Sequence, residues 1–171
     1  MAPDLRSRSY LIEAEVELAE KSEGVLIAHG DATSGYSLYV QEGRLVHDMN
    51  IGGEHVIVRS QLPIPRGEHR LGLRVRRLTA GTEADAKAGT RLNEFTLLID
   101  GKSVGSVRSP LGFANFISWT GLDIGRDRGS PVSYYDAPFE FTGRLLRVTV
   151  AMHNDQQLDG DGVGNAEMAR Q

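Results

Sequence analysis

Cysteine is absent from the 171 residues. Disulfides, thiol nucleophiles and cysteine-ligated metals are therefore excluded, and the redox compartment is left open. Aromatic residues make up only 6%, with one tryptophan, Trp119. Few rings are left for a sugar-stacking surface. No apolar run approaches the roughly 18 residues that a membrane span needs. The opening residues, Met1 to Arg6, are polar and lack the apolar stretch of a signal peptide. The expectation is a soluble chain, cytoplasmic as it stands, with no membrane partner. A large excess of one charge is lacking too: 19 Lys and Arg against 23 Asp and Glu leave a net −4. Nucleic acid is not an expected partner.

Helical periodicity is also missing, and alternation takes its place. Tyr10, Ile12, Ala14, Val16 and Leu18 alternate with Leu11, Glu13, Glu15 and Glu17, the pattern of a half-buried strand. Further strands are expected at Val25 to His29, Tyr36 to Val40, Arg44 to Asp48, Glu54 to Ser60 and His69 to Leu78. Phe95 to Ile99 and Lys102 to Val107 flank Asp100-Gly101, a strong hairpin signal. Leu122 to Ile124 and Phe139 to Val150 complete about ten to twelve strands. Between Glu54 to Ser60 and His69, Pro63 and Pro65 break any ladder. No room remains for helices between strands, so the fold expected is all-β: two antiparallel sheets packed as a jelly-roll sandwich. The sandwich is placed at residues 1–153, with Thr79 to Asn93 as a long surface loop. The polar, glycine-rich residues 154–171 form a flexible tail.

Several constellations invite a chemical reading. Glu13, Glu15 and Glu17 share a strand face, as carboxylates do in jelly-roll glycosidases that use one as nucleophile and another as acid. The middle residue is Glu where that pattern has Asp, and no flanking aromatics mark a cleft. The plainer reading is a solvated face. Arg70, Arg74 and Arg76 share a face of a second strand and are candidates for anion binding. The alternative is cross-strand pairing with the acidic row. Trp119, Tyr134, Tyr135 and Phe139, with Asp127 and Asp136 as polar partners, are the candidate glycan-binding set. Trp119 reads equally well as a core residue.

None of the five histidines shows zinc spacing, and no Ser/His/Asp arrangement is readable. A glycine-rich phosphate loop is lacking, because no strand-glycine-helix unit exists to host it. Residues 155–161 imitate part of a calcium loop, with Gly160 at its sixth position, but Ala166 stands where a bidentate Glu is required. Asp123 and Asp127 are the other candidates for calcium, at a sandwich rim.

Longer phrases carry a resemblance. Glu23 to Gly30, Gly35 to Val40, Gly43 to Val46 and Asn50-Ile51-Gly52 are similar to successive words in the C-terminal region of bacterial arylsulfatases. Leu62 to His69, Phe95 to Gly105, Ile124 to Ser133 and Phe139 to Val150 continue it in order. The resemblance implies a laminin-G or concanavalin A-like accessory sandwich. Such a domain would pack on a sulfatase-like catalytic domain, or on another copy of itself through a sheet face. It carries over no catalytic residue, since neither the formylglycine motif nor the calcium cage of the catalytic domain has a counterpart here. The primary expectation is thus a non-catalytic accessory domain without a resident cofactor. A carbohydrate-binding module is the alternative, and a glycosidase using Glu13, Glu15 and Glu17 a distant third.

Overall fold

The computed structural model describes residues 2–78, 92–110 and 120–155. Ten strands are present: β1 (Tyr10–Leu18), β2 (Gly24–Gly30), β3 (Ser34–Gln41), β4 (Arg44–Ile51), β5 (Glu54–Arg59), β6 (Gly67–Leu78), β7 (Leu92–Ile99), β8 (Lys102–Ser109), β9 (Leu122–Ile124) and β10 (Arg144–Met152). They form two five-stranded antiparallel sheets, one ordered β10-β1-β6-β7-β8 and the other β5-β4-β3-β2-β9. The chain crosses between sheets after β1, β5, β8 and β9, so its first and last strands pair side by side. Among the described residues there is no helix, and hence none long and apolar enough to cross a membrane.

Alternation does what it should in the first sheet. Tyr10, Ile12, Ala14, Val16 and Leu18 of β1 turn inward beside Leu71, Leu73 and Val75 of β6, and all are buried. The second sheet supplies Leu38 and Val40 from β3, Leu45 and Met49 from β4, and Val58 from β5 to the same core. A bulge in the β2–β3 pairing between Val25 and Ile27 lets Leu26 and Ile27 both join it. His47 also sits fully buried, stacked on Phe95 with ring centroids 5.5 Å apart.

Strands β3 and β4 break the alternation, being buried on both faces. A strap, residues 125–143, lies across the outer face of their sheet. It is tied down by Gly125 N to Leu26 O (2.9 Å), Val25 N to Phe139 O (2.8 Å) and Thr142 N to Glu23 O (2.8 Å). Under it a second, smaller cluster forms from Val25, Ala28, Tyr39, Val46 and Tyr135, with Phe139 packed against it.

Three sequence expectations need correction. Phe139 to Gly143 belongs to the strap, and only the stretch from Arg144 onward is strand. Leu92 and Asn93 start β7; the rest of the expected loop, residues 79–91, lies outside the described residues. Asp155, assigned to the tail, is held in place: Ser9 donates from its backbone N (2.8 Å) and Oγ (2.6 Å) to the Asp155 carboxylate. Residues 156–171, and with them the imitation calcium loop, lie outside the described residues.

Candidate functional site

The strap carries the chemistry that the sheets lack. Its anchor is Asp127, only 1% exposed, which accepts from the backbone N of Val132 (3.0 Å) and from the Tyr135 hydroxyl. Tyr135, 8% exposed, is hydrogen-bonded in addition to Ser37 Oγ at 3.0 Å. Its ring stacks on Phe139 (5.2 Å) and meets Tyr39 edge-on (5.0 Å). Burial, reinforced by the Asp127 carboxylate, pushes the Tyr135 hydroxyl pKa up. These two residues were candidates for touching a glycan. Both also fix the strap, because a buried carboxylate needs partners and the phenol supplies one.

A second anchor joins the strap to β4 and β5. Asp48, fully buried, accepts from Ser133 Oγ (2.6 Å) and pairs with His55 Nδ1 (2.6 Å). Tyr39 OH meets Ser133 Oγ at 2.9 Å. Burial raises the Asp48 pKa, while the bonds from Ser133 and His55 pull the other way. Ser, His and Asp thus converge, but with the carboxylate in the middle. Ser133 makes its hydrogen bonds to Asp48 and Tyr39 and not to a histidine, so the arrangement is not the triad in which an imidazole takes the serine proton. The cluster is an anchor.

Between these two anchors the strap must expose what lies between Ser133 and Tyr135. Tyr134 is 67% exposed, and its ring rests on His55 at 4.6 Å, tilted by 31°. Tyr134 and the exposed Asp136 line an open pocket of about 670 Å³ together with Glu23, Gln41, Ser133, Tyr135 and Phe139. That size and shape suit one or two sugar rings lying on a surface. Of the sequence candidates the structure therefore brings together Tyr134 and Asp136 at the surface, with Tyr135 and Phe139 also in the lining. Trp119 lies outside the described residues. Glu23, Gln41 and His55 were not among the candidates. They come from the β1–β2 connection, β3 and β5, and no local pattern connects them.

The calcium candidates are committed elsewhere. Asp123 is buried and holds Arg128 through its backbone N (2.9 Å) and Nε (2.7 Å), and Asp127 is used as above. Among the described residues no group of three or more His, Cys, Asp or Glu could hold a metal ion.

On the other sheet, Arg70, Arg74 and Arg76 do share the outer face of β6, and the acidic row of β1 lies beside them. Glu15 is in register with Arg70, and Arg70 approaches Glu13 at 3.9 Å. Arg76 faces Glu94, which also binds Arg108 Nε at 3.0 Å, and Arg144 meets Glu17 at 3.6 Å. The face is a ladder of exposed and half-buried charges of both signs. Glu13, Glu15 and Glu17 form part of it, with cations beside them.

Neither a protein-family model nor a curated protein matches this chain. Solved structures do. The LG4-5 domains of the mouse laminin alpha1 chain align with a TM-score of 0.60 and 20% identity, over 93% of this chain and 38% of that one. The chain thus spans well under half of that laminin structure. CBM40 of the Ruminococcus gnavus IT-sialidase aligns with a TM-score of 0.56 and 14% identity, over 93% of this chain and 82% of that one. The same domain bound to alpha2,3 sialyllactose aligns with a TM-score of 0.54, again at 14% identity, over 94% and 83%. The fold is a laminin-G-like jelly roll. At these identities the likeness shows the fold alone, and nothing in it ties the chain to arylsulfatases.

Proposed function

We propose that this chain is a non-catalytic glycan-binding domain that reads sugar at the pocket beside Tyr134. The observation that carries the reading is the contrast along three consecutive residues. Ser133 and Tyr135 are buried and hydrogen-bonded, whereas Tyr134 between them presents most of its ring to solvent. One side of the Tyr134 ring rests on His55 and most of the rest stays open to solvent, which fits a ring kept for a ligand. Sugars offer apolar C–H faces to such a ring and hydroxyls to the surrounding Glu23, Gln41 and Asp136. Two further points support it. A sandwich of this shape, CBM40, is seen bound to alpha2,3 sialyllactose. The Ser133 hydroxyl is spent on the buried Asp48 that anchors the strap, with no histidine between them, which favours binding over triad-type turnover.

A glycan array probed with the wild-type chain and with Tyr134→Ala tests the reading. Wild type should retain a coherent set of glycans, and Tyr134→Ala should lose them while keeping its thermal unfolding temperature. Tyr134 is mostly exposed, so the substitution spares the fold. An unchanged array pattern for Tyr134→Ala, or silence of the wild type, contradicts the reading.

A further inference from the structure

The charges around the pocket restrict which sugars it can take. Glu23 and Asp136 both line it and both are exposed, and Gln41 lines it as an amide. Among the described residues no lysine, arginine or histidine lines it. The nearest imidazole, His55, lies against Tyr134 and is already paired with the buried Asp48 at 2.6 Å.

Resting on the glycan-binding reading above, we infer that the site selects glycans carrying no anionic group at the bound residue and rejects sulfated, sialylated and uronic sugars. Carboxylates are acceptor-only, and sugar hydroxyls can donate to them in charge-assisted hydrogen bonds. A sulfate or carboxylate brought to the same place meets two like charges and no cation among the described lining residues. Arg59, the cation acting on Tyr39, stands outside that lining and faces Glu42 at 3.7 Å. Protein sites for such anions are normally built from arginine forks, which this pocket lacks and the opposite sheet carries.

The test uses an array of matched glycans, each core disaccharide present in neutral, sulfated and sialylated form. It is probed with wild type, Tyr134→Ala and Glu23→Gln/Asp136→Asn, at low salt and at about 1 M salt, where the screening length falls to about 3 Å. Wild type should prefer the neutral member of each pair by about tenfold or more at low salt. High salt and the double variant should both narrow that gap. Preference for anionic members, abolished by Tyr134→Ala, would overturn the selectivity while leaving the glycan-binding reading intact. A neutral preference that ignores both salt and the double variant would overturn the carboxylates as its cause. Silence from every glycan removes the reading and the selectivity together.

Discussion

His47 enters the core between β4 and β7 with both ring nitrogens buried and without a hydrogen-bond partner among the described residues. Burial pushes its pKa from 6.5 down to about 3. It is therefore neutral at pH 7, and unfolding below about pH 6.5 is accompanied by proton uptake. Stability should fall as the pH drops from 6.5 towards 3, by roughly 4 kcal/mol at the extreme. His47→Leu removes both the unsatisfied nitrogens and this proton uptake. Urea unfolding should show the variant about 1–2 kcal/mol more stable at pH 7. The advantage should grow at pH 4.5; an equal acid loss in both proteins would contradict the assignment. His69 runs the opposite way. Burial opposes its charge, but Nδ1 faces Asp100 at 2.7 Å and Nε2 faces the Arg66 carbonyl at 3.0 Å. With an acceptor at each nitrogen the imidazolium is the form that satisfies both, and the pKa is raised. Its contribution is full below the free value of 6.5 and is lost as the pH climbs through the raised one.

At the scale of the element, the strap builds the proposed site, and two points of its attachment are open to a direct test. Asp127→Ala leaves the Val132 N–H and the Tyr135 hydroxyl short of their acceptor, with an expected cost of roughly 2–4 kcal/mol in thermal or urea unfolding. Gly24 is the second point. Its φ is +119°, and a Cβ there would lie 2.3 Å from the Glu140 carbonyl oxygen. Gly24→Ala should open the strap to limited proteolysis within residues 126–140 before the sheets unfold; protection equal to wild type would contradict that role. The ends of the sandwich have their own clasp. Ser9 binds Asp155, and the Arg77 guanidinium reaches the Asp155 carbonyl at 2.7 Å. Asp155→Ala should speed amide exchange at Ser9, Arg77 and His153 and leave β3 and β4 unaffected.

These elements were legible in the sequence to very different degrees. The β1 and β6 strands announced themselves, since Tyr10 to Leu18 and Leu71 to Val75 alternate against a solvated face. The strap did not. Residues 125–143 have no period, and Phe139 to Gly143 read as strand because Phe139 and Phe141 alternate with polar neighbours. The exposed Tyr134 and the buried Tyr135 are the same residue type side by side, so composition alone cannot assign their roles. What separates them is Asp127 and Ser37 beneath Tyr135, and Ser133 turned onto Asp48, contacts spanning 85 to 98 residues of chain in the two longest cases. Asp48 and His55 gave no signal, because each looks like an ordinary strand residue until the strap covers the sheet.

For the molecule as a whole, the two outer faces divide the work. The β10-β1-β6-β7-β8 sheet shows solvent a ladder of arginines and glutamates, and its exposed ion pairs, Arg70–Glu13 and Arg144–Glu17, add little stability. The other sheet hides its outer face under the strap and returns one aromatic ring to the surface beside two carboxylates and an amide. The most direct test is an NMR titration of the isotopically labelled chain with a neutral oligosaccharide retained in the array, following the Tyr134 ring and the backbone amides. The account predicts that shifts concentrate at Tyr134, Asp136, Gln41 and Glu23 and saturate, with Arg70, Arg74 and Arg76 unmoved. Saturable shifts centred on the arginine ladder, with Tyr134 silent, would contradict it.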